Sequence, residues 1–143
     1  MATQEQKNVE LLRDGFERWR DSNGATAEHW LNMTADTVVW RSLGAAAAGQ
    51  QCQVCSSKEQ VRLYFAELAK AWAMISYTID EYIAQGEHVV LVGNCKWRHK
   101  GTGKLSETPI CNVIRMRDGQ IVEFMEYYDT AAAMAAASPD ARP

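Results

Sequence analysis

Apolar residues recur at spacings of three and four in the first half of the chain and at spacings of two in the second. That change of period separates a helical part from a strand part. Val9, Leu12, Phe16 and Trp19 form one stripe and predict a helix from about Gln4 to Ser22, stopped at Asn23-Gly24. A short second helix, about Thr26 to Met33, carries Trp30 and Leu31. Asp36 then opens the β-branched run Thr37-Val38-Val39-Trp40, which predicts a strand. From Gly44 to Cys55 the chain is rich in Ala, Gly and Gln without a strict period, and reads as a surface loop. Ser56-x-x-Glu59 is a capping-box pattern that starts a third helix. The stripe of that helix is Val61, Tyr64, Phe65, Leu68 and Trp72.

Beyond this point Ile75–Ala84, Val89–His99, Ser106–Arg117 and Ile121–Tyr128 all have strand character. Gln85-Gly86, Gly101-Thr102-Gly103 and Asp118-Gly119 separate them as turns. Short turns between successive strands imply an antiparallel meander. Residues 131–137 predict a helical turn, and 138–143 a frayed end. Helices first and strands afterwards give an α+β architecture.

At 143 residues the chain has the size of one domain, 1–143, with a core of about 5–134. A hydrophobic content of 47% suffices for a core, while a net charge of −3 excludes the basic field of a nucleic-acid binder. The polar first ten residues lack a signal-peptide core, and no apolar run reaches the roughly 20 residues that span a bilayer. These features predict a cytoplasmic protein with no membrane partner, whose four cysteines are free thiols.

Several strings, in order, carry a resemblance. They are Phe16-x-x-Trp19, Asp36-Thr-Val-Val-Trp-Arg41, Thr102-Gly103-Lys104, Arg115-Met-Arg-Asp-Gly-Gln-Ile121 and Phe124-Met-Glu-Tyr-Tyr-Asp-Thr130. From about Val9 to Met134 the chain resembles the nuclear-transport-factor-2-like superfamily, and within it the SnoaL-like and ketosteroid-isomerase-related proteins. The resemblance implies a cone, in which a strongly curved, mostly antiparallel sheet wraps around the long N-terminal helices and encloses a cavity. It also implies homodimers that pair the outer sheet faces. Its members include isomerases, epoxide hydrolases, dehydratases, polyketide cyclases and proteins with no chemistry, so function must be argued from the cavity.

Alternation along the strands assigns the inward faces. Gly93, Cys95 and Trp97 form one set, and Thr108, Ile110, Asn112 and Ile114 the matching set on the next strand. Val122, Phe124, Glu126 and Tyr128 follow on the last. On the first strand the resemblance places Val39 and Arg41 inward and leaves Trp40 for the dimer-forming face. With Phe16, Trp19, Leu68 and Trp72 from the helices, these residues describe an apolar pocket for a small hydrophobic molecule.

Two of the resembling activities are not transferable as they stand. The ketosteroid-isomerase base falls on Arg41, which cannot accept a proton, and its first-helix tyrosine on Gly15; its protonated aspartate falls on Asn112. The arginine and first aspartate of limonene-type epoxide hydrolases fall on Gly93 and Cys95, and the second aspartate on Glu126. Glu126 is therefore the candidate acid/base, Arg41 the group that holds its charge or an anionic end of the ligand, and Asn112 the group that orients a carbonyl. A structural Arg41–Glu126 ion pair and a purely ligand-anchoring role stand as alternatives. Neither metal nor cofactor is expected. Cys52-x-x-Cys55 lacks a second ligand pair, the three histidines form no constellation, and Gly101-Thr-Gly103 lacks the phosphate-loop pattern.

Overall fold

The computed structural model describes residues 1–42 and 54–140. The order is α1 (Gln4–Asp21), α2 (Ala27–Met33), β1 (Thr34–Ser42), β2 (Val54–Cys55), α3 (Lys58–Ala71), β3 (Trp72–Gln85), β4 (His88–His99), β5 (Leu105–Arg117), β6 (Gln120–Tyr128) and α4 (Thr130–Ala137). The architecture is α+β, and α1 buries Leu12, Phe16 and Trp19 as its stripe requires.

Two boundaries depart from the sequence pattern. The cap of α3 is Ser57, not Ser56: its hydroxyl accepts from the Gln60 N–H at 3.2 Å. Ser56 instead donates its own N–H to Gln60 Oε1 at 2.6 Å. Trp72, expected as the last member of the helical stripe, has extended backbone (φ −131, ψ 146) and begins β3. Of the loop expected over Gly44–Cys55, residues 44–53 lie outside the described residues, while Val54 and Cys55 form β2. The frayed end expected over 138–143 is described only as far as Asp140.

The sheet order is β2-β1-β6-β5-β4-β3. All neighbouring pairs run antiparallel except β1 with β6, which is parallel. Asp118 and Gly119, at φ 53 and 77, form the turn that the Asp-Gly signal predicts between β5 and β6.

The β3–β4 ladder carries two register shifts, between Met74 and Ser76 and between Ile79 and Glu81, irregularities of the kind that bend a strand. Gly93 lies opposite Ile79, and a Cβ built there would sit 1.9 Å from the Thr78 carbonyl oxygen. Only glycine allows that approach. Gly15 serves α1 in the same way, because a Cβ there would lie 2.8 Å from the Trp30 ring. α4 is held over the β4–β5 hairpin by Thr102 Oγ1, which donates to the Ala136 carbonyl at 2.6 Å, and by Lys104 Nζ, which donates to that of Ser138 at 2.7 Å. Among the described residues no helix is long and apolar enough to cross a membrane.

Candidate functional site

Between the helices and the concave sheet face lies a cavity of about 80 Å³. At roughly 10–15 Å³ per water on this measure, it holds about six waters, or a ligand of similarly few heavy atoms. All five tryptophans and all three phenylalanines of the chain line it, together with Tyr64, Tyr77 and Tyr128. Among the described residues Glu126 is the one charged side chain in the wall, and no Lys, Arg or His lines it.

The β6 strand presents Phe124, Glu126 and Tyr128 to the cavity by simple alternation. Tyr77, from β3, donates its hydroxyl to Glu126 Oε2 at 3.3 Å. Behind it, Asn112 Nδ2 donates to the Tyr77 oxygen at 3.2 Å. Ser42, the cross-strand neighbour of Glu126, also hydrogen-bonds the carboxyl. The same serine side chain reaches Tyr64 and Tyr128.

Burial pushes the Glu126 carboxyl up to about 7, against the opposing pull of the hydrogen bonds from Tyr77 and Ser42. Glu126 keeps partial exposure, but this surface opens on the aromatic cavity, so depth within the protein governs its ionisation. Burial and the Glu126 charge raise Tyr64 and Tyr77 well above the ordinary tyrosine value. Tyr128 is pushed up to about 12, chiefly by burial, and the Cys95 thiol to about 12 for the same reason and by Glu126. At neutral pH the hydroxyls and the thiol keep their protons, and the carboxyl alone among these groups exchanges one.

The structure places Phe16, Trp19, Leu68, Trp72, Cys95, Trp97, Thr108, Phe124, Glu126 and Tyr128 on the cavity wall. The other expected residues, Gly93 and Ile114 among them, are not on the wall. Val39 is 40% exposed, Arg41 is exposed, and Trp40 between them is 3% exposed and stacked on Phe124 at 3.9 Å. The face of β1 is thus the reverse of that expected, since a one-residue offset exchanges every side chain between the two faces. In the parallel β1–β6 pairing Trp40 adjoins Phe124 and Ser42 adjoins Glu126, while Arg41 adjoins Met125 on the outer face. No Arg41–Glu126 pair forms, and Trp40 is withdrawn from any outer-face contact.

Asn112 is fully buried and does not line the cavity; it acts on Glu126 through Tyr77, and its Oδ1 has no hydrogen-bond partner among the described residues. Ile110 is 2% exposed in the core beside the site. Val122 is also displaced from its expected face, because a register shift at Arg115–Met116 buries Ile121 instead.

Unforeseen members of the wall are Trp30, Trp40, Ser42, Tyr64, Phe65, Tyr77, Ser106 and Ala133. Tyr64 and Phe65 stood in the α3 stripe, and the pattern Val38-x-Trp40 already favoured that face over the one containing Arg41. Tyr77 had no usable signal, since two register shifts interrupt β3. Elsewhere, Cys55 is buried and Cys52 lies outside the described residues. His99 accepts the Thr102 N–H on Nδ1 at 3.1 Å and packs its ring against Trp72 at 4.9 Å. Among the described residues no three His, Cys, Asp or Glu side chains converge on a metal position.

A curved, unclosed sheet around N-terminal helices is the architecture of the nuclear-transport-factor-2-like class of folds. The chain belongs to the SnoaL-like domain family, which it matches over residues 12–124. It is similar to an NTF2-like protein from Burkholderia thailandensis E264 (24% identity, TM-score 0.77, 97% of this chain and 100% of that one). Another NTF2-like protein, from Burkholderia xenovorans LB400, is equally similar (24%, 0.77, 96% and 99%). A protein of ketosteroid-isomerase-like fold from Catenulispora acidiphila DSM 44928, solved in complex with trimethylamine, is more distant (16%, 0.70, 87% and 92%). At these identities the likeness is one of fold. No protein of curated function matches the sequence.

Proposed function

We propose that the cavity binds a small hydrophobic molecule and that Glu126 exchanges a proton with it, without a cofactor. One observation carries this reading. A lone carboxyl, held near the pH of its surroundings by burial, stands in a wall that contains every Trp and Phe of the chain. Such a group populates both proton states at neutral pH, as a general base that later returns its proton must. Tyr77 fixes the carboxyl's orientation, and Asn112 fixes Tyr77. The reaction classes that suit this set are isomerisation, dehydration, cyclisation and hydrolysis.

The test is exchange of the α-hydrogens of cyclohexanone in D₂O, followed by proton NMR. Wild-type protein should accelerate exchange above the buffer rate, and Glu126→Gln should abolish the acceleration while keeping the shape of the wall. Equal rates for the two proteins would end the catalytic reading and leave a binding protein.

A further inference from the structure

We propose that the cavity selects small organic ammonium ions over neutral or anionic molecules of the same shape. The inference rests on the reading of the cavity as a ligand site and names the ligand class. Three independent features of the wall support it.

The first is the distribution of charge. Among the described residues one carboxyl and no Lys, Arg or His line the cavity, so nothing in that lining complements an anion, and an anion would stand beside Glu126 in a low-dielectric space. A cation there supplies Glu126 with the counter-charge that the described lining does not. Arg41, the cation that sequence placed beside Glu126, lies on the far face of the sheet.

The second is ring chemistry. The faces of aromatic rings carry negative potential and attract cations, most strongly for Trp, and an aromatic box is the usual receptor for ammonium groups. Here all five indoles of the chain surround one space. Trp19 meets Trp30, Phe65 and Trp97 at 75°, 68° and 53°.

The third is size. A space for about six waters accommodates a methylated ammonium group with a short arm, and is too small for a fused polycyclic ligand.

Ligand binding is then linked to the proton on Glu126. A bound cation favours the carboxylate, so binding releases a proton below neutrality and strengthens as pH rises. The titratable groups facing Glu126 are Tyr64 of α3, Tyr77 of β3, Cys95 of β4 and Tyr128 of β6. Each remains protonated across that range, which leaves the linkage to Glu126 alone.

The experiment compares three probes by quenching of intrinsic tryptophan fluorescence: choline, its neutral isostere 3,3-dimethylbutan-1-ol, and the anion 3,3-dimethylbutanoate. Choline should bind about tenfold or more tightly than the alcohol at pH 8, as expected of a desolvated cation in an aromatic box. Its affinity should fall more than about tenfold by pH 5.5 while that of the alcohol holds, because Glu126 is then protonated. Glu126→Gln should lose the pH dependence of choline binding and that part of the preference which the carboxylate supplies, keeping only what the rings give. If this variant does not fold, the wild-type pH series decides alone. An alcohol as tight as choline, or an anion tighter than either, overturns the ammonium assignment and leaves the ligand site standing. If no probe perturbs the fluorescence at millimolar concentration, the ligand-site reading falls as well.

Discussion

The Tyr77 hydroxyl donates to the Glu126 carboxyl at 3.3 Å while accepting from Asn112 at 3.2 Å, so a fully buried amide controls the acid without touching the cavity. Phenylalanine at position 77 removes the donor that lowers the Glu126 pKa and leaves the Asn112 amide unpaired. The Glu126 carboxyl, followed by carbon NMR of labelled protein, should titrate above its wild-type midpoint of about 7. Tyr77→Phe should also lose about 1–3 kcal/mol of stability, the cost of an unsatisfied buried donor. A midpoint that moves down would contradict the hydrogen-bond direction assigned here.

The raised pKa of Glu126 has a definite sign for stability. Below about 4.5 the carboxyl is protonated in both folded and unfolded chains, and its burial carries no charge penalty. Between about 4.5 and 7 the unfolded chain releases the proton and the folded one retains it, so stability falls as pH rises. By pH 8 the loss amounts to about 3 kcal/mol. Urea unfolding should find Glu126→Gln more stable than wild type at pH 8 by up to that amount, with the two converging below pH 5. A gap that widens in acid would refute the burial argument.

The face of β1 is decided by two truncations. Trp40→Ala empties a stacked, buried position and should cost about 3–5 kcal/mol in denaturant unfolding. Arg41→Ala changes an exposed side chain on the outer face and should stay within about 0.5 kcal/mol. The opposite ranking would restore the register in which Arg41 faces the cavity.

Gly93→Ala drives a methyl into the Thr78 carbonyl, between the two register shifts of the β3–β4 ladder. Backbone has little room to yield, so the loss should reach the upper part of the ~1–3 kcal/mol typical of overpacking, or exceed it. Thermal melting measures it directly, and an unchanged midpoint would mean the ladder does not depend on that contact.

How much of this was legible in the sequence follows from where the chain is regular. The meander β3 to β6 and the inward faces of β4 and β5 came from uninterrupted alternation between turn residues whose positive φ the fold requires, as at Asp118-Gly119. The acid was legible because Phe124, Glu126 and Tyr128 keep that alternation. Its partners were less so. Tyr77 lies between two register shifts that erase the period of β3, and Val122 falls at another. On β1 the alternation did point to Trp40 inside, while alignment to a related pattern shifted it by one residue. That single step misplaced Val39, Arg41 and Trp40 together.

The parallel pairing of β1 with β6 joins the strand nearest the start of the sheet-forming sequence to the last one. Ser42 and Glu126 become neighbours through it, with three long strands intervening in the chain. The carboxyl's surroundings therefore require the last strand to be present. A nascent chain on the ribosome, or a truncation ending before Gln120, can form α1 and the first hairpins yet leaves Trp40 without its stacking ring and exposed to association with other chains.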